Sequence, residues 1–305
     1  RKWLEILAGC ATERRARHCR NLVLVMIAKL RKIFRPQPKR PRRPDADGVT
    51  YRPLRPLDER IEGWRVVIDD ERQRAMYDRV AQGIDQTAYA ALQEKYREEV
   101  EASDELAVTK YLDLAPWFMI HSRIARLLDI DTRPKCSILD IGAGGGQFLA
   151  IAKAYGHDVL AFDQAHPPVY GDLLKLYDVP RIEGSIRLGE PLPDTIGRFD
   201  LVIINGQVFD VWPKDRATRW DIPEWASFLE YLCDTHMTYP GTLFLGLNKS
   251  AGPTGTEDFL WPLVDLAESK GATVERKRAT MLFDLENPLR FESVPHKTWL
   301  TLGSE

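Results

Sequence analysis

The stretch Ile138-Leu139-Asp140-Ile141-Gly142-Ala143-Gly144-Gly145-Gly146-Gln147-Phe148 constrains this chain more than any other. A short apolar run ends in an acid, glycines follow at once, and an apolar helical pattern opens behind them. A sharp strand-to-helix turn needs backbone dihedrals that glycine adopts freely, and a missing side chain lets a ligand reach the backbone. The helix behind the turn offers free N–H groups and the positive end of its dipole, which favour an anionic ligand group.

The chain after Asp131 continues in the same style. Strand patterns fall at Ser137–Asp140, Val159–Asp163, Arg181–Ile186, Leu201–Asn205, Thr242–Leu247, Thr273–Phe283 and Lys297–Leu302. Helical patterns lie between most of them, at Gln147–Tyr155, Val169–Tyr177, Glu224–Thr235 and Asp258–Lys270. Strands alternating with helices imply an α/β fold, a mostly parallel sheet flanked by helices on both faces, with its ligand at the carboxyl ends of the strands.

Two kinds of enzyme use such a loop. The dinucleotide fingerprint G-x-G-x-x-G/A, counted from Gly142, ends on Gln147 and so fails. The pattern present is D-x-G-x-G-x-G, from Asp140 to Gly146, with Asp163 at the end of the second strand. This resembles the first motif of the class I S-adenosylmethionine-dependent methyltransferases, and the likeness extends over residues 135–305. It implies a Rossmann-like seven-stranded sheet with S-adenosyl-L-methionine as cofactor. By that resemblance, Asp140, Gly142, Ala143, Gly144, Gly146 and Gln147 lie along the cofactor's amino-acid and ribose portions. Asp163 accepts from the ribose hydroxyls, Gln164, Ser185 and Ile186 meet the adenine, and Asn205 and Gly206 face the methyl group.

Methyl transfer is an in-line displacement in which alignment and desolvation do most of the catalysis. A poorly acidic nucleophile such as a sugar hydroxyl also needs a base, for which Asp210, Asp215 and His236 stand near the expected pocket, none singled out by spacing, while Asn205 is a candidate donor and acceptor there. Asp221-Ile222-Pro223-Glu224 reads as a helix cap. Tyr111, Gln207, Phe209, Trp212 and Trp220 are candidates to line an acceptor pocket, although aromatic residues there equally suit packing of the sheet. Tyr111 and Trp117 precede the core and suit a lid. The fourth strand ends in Asn205-Gly206-Gln207 rather than an Asn-Pro-Pro-Tyr type tetrapeptide, which speaks against a nucleobase amine. A small-molecule or glycan-type acceptor, methylated on oxygen, is the leading expectation. Nucleic-acid or protein methylation and a non-enzymatic cofactor-binding scaffold are the alternatives.

The formal charge of −2 hides an asymmetry. Residues 1–60 carry 17 Lys and Arg against 6 Asp and Glu, and the remainder carries 26 against 39. Prolines at 36, 38, 41, 44, 53 and 56 make 35–57 read as a linker. Ahead of it, Leu22, Val23, Met26, Leu30 and Ile33 recur at helical spacing among basic residues, a pattern suited to an anionic membrane surface docked by residues 1–35, to packing on the body, or to a tail. Residues 61–130 read as a helical cap, within which Pro116 is expected to end or kink a helix, and 131–305 as the cofactor-binding domain. The acidic body disfavours nucleic acid. Four scattered cysteines suit a reducing compartment and no metal module. No apolar run nears the roughly 20 residues of a spanning helix. A cytoplasmic protein, peripheral at the inner membrane face, is expected.

Overall fold

The computed structural model describes residues 51–102, 106–187, 189–207, 220–247 and 261–291. The amphipathic pattern before residue 36, the proposed strand at 297–302, and Phe209, Asp210, Trp212 and Asp215 lie outside the described residues.

Among the described residues six helices come first: α1 (Leu57–Arg65), α2 (Glu71–Gln82), α3 (Gln86–Lys95), α4 (Arg97–Ala102), α5 (Leu106–Leu112) and α6 (Leu114–Leu127). The alternating region follows as β1 (Ser137–Ile141), α7 (Gln147–Ala154), β2 (Asp158–Asp163), α8 (Pro168–Leu176), β3 (Arg181–Glu183) and β4 (Phe199–Gln207). It continues through α9 (Ile222–His236), β5 (Met237–Leu247), α10 (Trp261–Ser269), β6 (Thr273–Glu275) and β7 (Thr280–Leu285). The strands form one sheet in the order β3-β2-β1-β4-β5-β7-β6, with β7 antiparallel to both neighbours and β1 to β5 parallel.

Period-two alternation divides the central strands between two cores. Ile138, Leu201, Ile203 and Phe244 face one way, into a cluster with Phe118 of α6 and Phe148 and Ile151 of α7. Leu139, Ile141, Val202, Ile204, Leu243 and Leu245 face the other, against Trp225, Phe228 and Leu232 of α9 and Leu263 of α10. Burial on both faces is why these strands read as unbroken apolar runs.

The structure departs from the sequence reading in three places. Thr273–Phe283 is not one strand: a turn at Arg276–Arg278 and left-handed Ala279 (φ 52°) fold it into the β6–β7 hairpin. Pro116 ends no helix; α5 stops at Leu112, and Pro116 sits in the first turn of α6, where its missing N–H is harmless. The supposed linker is packed from Tyr51 onward, where the compact unit begins. Tyr51 and Leu57 are buried there, and Gln93 donates to the Pro53 carbonyl at 2.6 Å. Asp221 does cap α9, accepting from the Glu224 N–H while Glu224 Oε2 accepts from the Asp221 N–H at 2.6 Å.

Candidate functional site

β1 and β2 run in parallel with Asp140 opposite Ala161, so the glycine turn and Asp163 open at the same edge of the sheet. The Gly142 N–H donates to the Phe162 carbonyl at 2.6 Å, carrying the ladder one residue past β1. The chain then turns through Gly142, Gly144 and Gly146 at φ of 73°, 55° and 73°, a region costly for any side chain. A Cβ on Gly146 would lie 2.2 Å from Leu174 Cδ2, so this glycine is also where α8 packs against the loop. Gly146 occupies the position before α7 and caps it with no side chain, leaving the first amides of that helix to a ligand.

Asp163 is braced by the loop itself. Its Oδ2 accepts from the Gly144 N–H at 2.6 Å and its Oδ1 from the Gln164 N–H at 2.7 Å. Burial pushes its pKa up, and the two amides and Arg181 pull against that rise. Asp140 is 5% exposed. Burial, followed by the nearby Asp163 charge, pushes its pKa up to about 8, so it is largely protonated at neutral pH. A buried carboxyl beside a second carboxylate is a poor place for a lone negative charge and a good one for a ligand cation. Residues 140–163 therefore fit a ligand with a ribose diol, which Asp163 accepts, and a cationic group, which Asp140 answers.

The helical cap closes over this loop. Tyr111 stacks on Trp117 at 4.7 Å between centroids and meets Tyr170 of α8 edge-on at 4.9 Å, and its ring lies 3.3 Å from where a Gly144 Cβ would stand. Tyr51 also stacks on Trp117, at 6.4 Å between centroids. Between the two aromatic residues of the cap, Asp113 is 1% exposed and accepts from the Arg52 N–H (2.7 Å), Arg60 Nε (3.1 Å) and Arg60 Nη2 (2.6 Å). This clasp ties residues 52–60 to the junction of α5 and α6.

Asp140, Gly142, Ala143, Gly144, Gly146, Gln147, Asp163 and Gln164 are thus brought together. Gln147 folds over Gly145 and its Nε2 donates to the Tyr111 carbonyl at 3.4 Å, linking loop to cap, while its Oε1 is buried with no hydrogen-bond partner among the described residues. Ser185 and Ile186 follow β3 at the same edge, where the Gly184 N–H donates to the Asp163 carbonyl at 3.0 Å. Register places Ile204 beside Ile141, so Asn205 and Gly206 stand level with the start of the loop. The Asn205 side chain turns across β5: a Cβ on Gly246 would lie 2.3 Å from Asn205 Oδ1, so Gly246 makes room for it. Gln207 ends β4.

One expected site residue lies elsewhere. His236 ends α9 immediately before Met237, which pairs with Phe199 at the amino ends of the parallel strands. Its Nδ1 bonds to the Gly197 carbonyl at 2.9 Å and its Nε2 to the Tyr231 hydroxyl at 3.1 Å, so it ties α9 to the turn before β4 instead of serving as a base. Trp220, just ahead of α9, is 5% exposed and packs edge-on against Trp225 (5.3 Å) and Phe228 (5.1 Å), so among the described residues it serves to seat α9. Sequence reasoning missed Arg181, the Asp113 clasp and Tyr170. A glycine inside α8, Gly171, was the one trace of Arg181, whose Nη1 lies 2.7 Å from where its Cβ would be.

The glycine turn follows the central strand of a sheet ordered β3-β2-β1-β4-β5-β7-β6 with β7 reversed. This is the class I methyltransferase fold. No protein-family model matches the sequence, and no curated protein sequence does either. Among solved structures, the chain is similar to the ribosomal protein L11 methylase of Lactobacillus delbrueckii subsp. bulgaricus, with 18% identity over 54% of this chain and 77% of that one and a TM-score of 0.36. It is similar to the Burkholderia thailandensis 1,6-didemethyltoxoflavin N1-methyltransferase, a structure holding its substrate and S-adenosylhomocysteine, with 19% identity, 64% and 87% covered and a TM-score of 0.35. A fibrillarin pre-rRNA processing protein of Methanococcus jannaschii has 14% identity, 50% and 67% covered and a TM-score of 0.36. Among the described residues no three His, Cys, Asp or Glu are grouped to hold a metal ion, and no helix is long and apolar enough to cross a membrane.

Proposed function

We propose that this chain is an S-adenosylmethionine-dependent methyltransferase acting on a small-molecule or glycan-type acceptor, with oxygen as the receiving atom. The observation that carries the reading is Asp163, held by the Gly144 and Gln164 amides beside a loop of left-handed glycines. A carboxylate has about four acceptor sites, and two amides leave room for a pair of vicinal hydroxyls.

When bound, S-adenosylmethionine supplies a methyl group on a positively charged sulfur. The residues of the chain bind and orient. Asp163 holds the ribose, Gln164 with Ser185 and Ile186 flanks the adenine, and Asp140 gives up its proton to face the ammonium of the amino-acid portion. Tyr111 and Trp117 exclude water above the loop, which strengthens each of these charge interactions. Asn205 and Gly206 border the methyl side, where the Asn205 amide is suited to hold an acceptor hydroxyl in line. The acidic body and the missing Asn-Pro-Pro-Tyr type sequence after β4 support a small acceptor over a nucleic acid. The basic residues 1–35 support peripheral docking at the anionic inner face of a membrane, with the enzyme in the cytoplasm.

Calorimetric titration with S-adenosylhomocysteine tests the cofactor. Binding on the order of micromolar is expected, weakened about ten-fold or more by Asp163→Ala; a wild-type chain that binds none overturns the reading. Incubation with methyl-labelled cofactor and fractionated cell extract tests the acceptor. Label in the small-molecule or glycan pool is expected, and label confined to RNA, DNA or protein overturns that part.

A further inference from the structure

Arg181 opens β3 opposite Ala161 of β2, and its side chain is 10% exposed. Its Nη2 donates to the Gln164 carbonyl, its Nη1 lies 3.4 Å from Glu183 Oε1, and its Nε is buried with no hydrogen-bond partner among the described residues. The guanidinium also lies against α8, where any side chain at Gly171 would bring a Cβ within 2.7 Å of Nη1. A glycine inside a helix weakens it, and a guanidinium at this depth, with Glu183 61% exposed as its carboxylate, gives up much hydration. Neither choice serves the packing of β3, a three-residue strand at the edge of the sheet.

What both achieve lies at the end of β2. Gln164 is the residue whose N–H holds Asp163 Oδ1, and Arg181 grips the carbonyl of that same residue. We propose that Arg181 is a positioning residue for the cofactor's nucleoside: wedged between α8 and Gln164, it fixes the turn after β2 and so aims Asp163 at the ribose diol. The proposal rests on the methyltransferase reading for the identity of the ribose. A second consequence is electrostatic. The charged and titratable groups around Asp163 are Asp140 of β1, Arg181 and Glu183 of β3, and Tyr111 of α5, backed by Tyr170 of α8. Of these, Arg181 is the one that lowers the proton affinity of Asp163.

The test is calorimetric titration of the full chain with S-adenosylhomocysteine at several pH values from acid to neutral, for the wild type, Arg181→Gln, Arg181→Lys and Gly171→Ala. Arg181→Gln is expected to bind about ten-fold more weakly at neutral pH, as the loss of a charge-assisted bond implies. Its affinity should also fall away at a higher pH than that of the wild type, because Asp163 then takes its proton earlier. Arg181→Lys restores the position of that acid limb without full affinity, since an ammonium keeps the charge and lacks the fork. Gly171→Ala, which favours the helix while displacing the guanidinium, should behave like Arg181→Gln with unchanged circular dichroism. If the wild type binds and Arg181→Gln keeps its acid limb, whether affinity is unchanged or falls only with thermal stability, the positioning role is wrong and the methyltransferase reading stands. A wild type that binds nothing overturns both.

Discussion

Asp140 sits where a buried carboxyl has two ways to be comfortable: keep its proton, or face a cation. Its pKa near 8 says that the ligand-free protein takes the first course at neutral pH. A ligand ammonium selects the second, so binding should expel a proton. Affinity for S-adenosylhomocysteine should rise with pH toward about 8, and titrations near neutral pH in buffers of different ionisation enthalpy should read out nearly one proton released. Asp140→Asn should abolish both effects, and an unchanged buffer dependence in that variant would refute the assignment. The sign for folding follows from the same shift. Because the folded pKa lies above the ordinary value of 3.8, the contribution of this group is fully present below that value and is lost as pH rises to about 8. Melting of the ligand-free chain across that range should show a decline that Asp140→Asn flattens.

At the scale of elements, what the sequence made legible was whatever a local rule dictates. The glycine turn was readable because left-handed dihedrals at 142, 144 and 146 demand glycine, and the cap of α9 because Asp221 and Glu224 satisfy each other over one turn. The β6–β7 hairpin was hidden because its left-handed residue is alanine and strand-forming residues lie on both sides of Arg276-Lys277-Arg278. His236 misled because a residue type says nothing about which end of a strand it occupies. Residues 51–57 have the composition of a linker, and are held by Gln93 and Asp113, some 40 and 61 positions away. That clasp is open to measurement. Asp113→Ala removes the 1%-exposed carboxylate that answers the Arg52 amide and the Arg60 guanidinium, and should cost about 3 kcal/mol in urea unfolding. A loss under about 1 kcal/mol would mean that the ion pair is screened and the cap is held by its aromatic stack alone.

The whole molecule carries its charge in two parts, a basic stretch before Tyr51 and an acidic remainder that contains the glycine loop. The boundary matters for any truncation. A chain starting at Tyr51 keeps the ring that stacks on Trp117 and the Arg52 amide that donates to Asp113; one starting at Asp58 loses both. The first should bind S-adenosylhomocysteine as the full chain does, and the second should bind more weakly and melt earlier, by calorimetry of each. Sedimentation with vesicles containing anionic lipid should retain the full chain and not the Tyr51 fragment, an affinity that fades with added salt.

The Asp113 clasp has one more consequence, for proteolysis. Arg60, followed by Ile61, is a trypsin site, whereas Arg52 and Arg55 precede prolines and resist trypsin; the backbone at Arg60 can enter the protease only when the clasp lets go. Tyr111, which shares the cap with Asp113, rests on the glycine loop, so a ligand seated there should hold the clasp shut and slow cutting in proportion to its occupancy. The nick at Arg60 is then a gauge of ligand binding that needs no knowledge of the acceptor: a library of compounds can be screened by the length of the fragment that trypsin leaves.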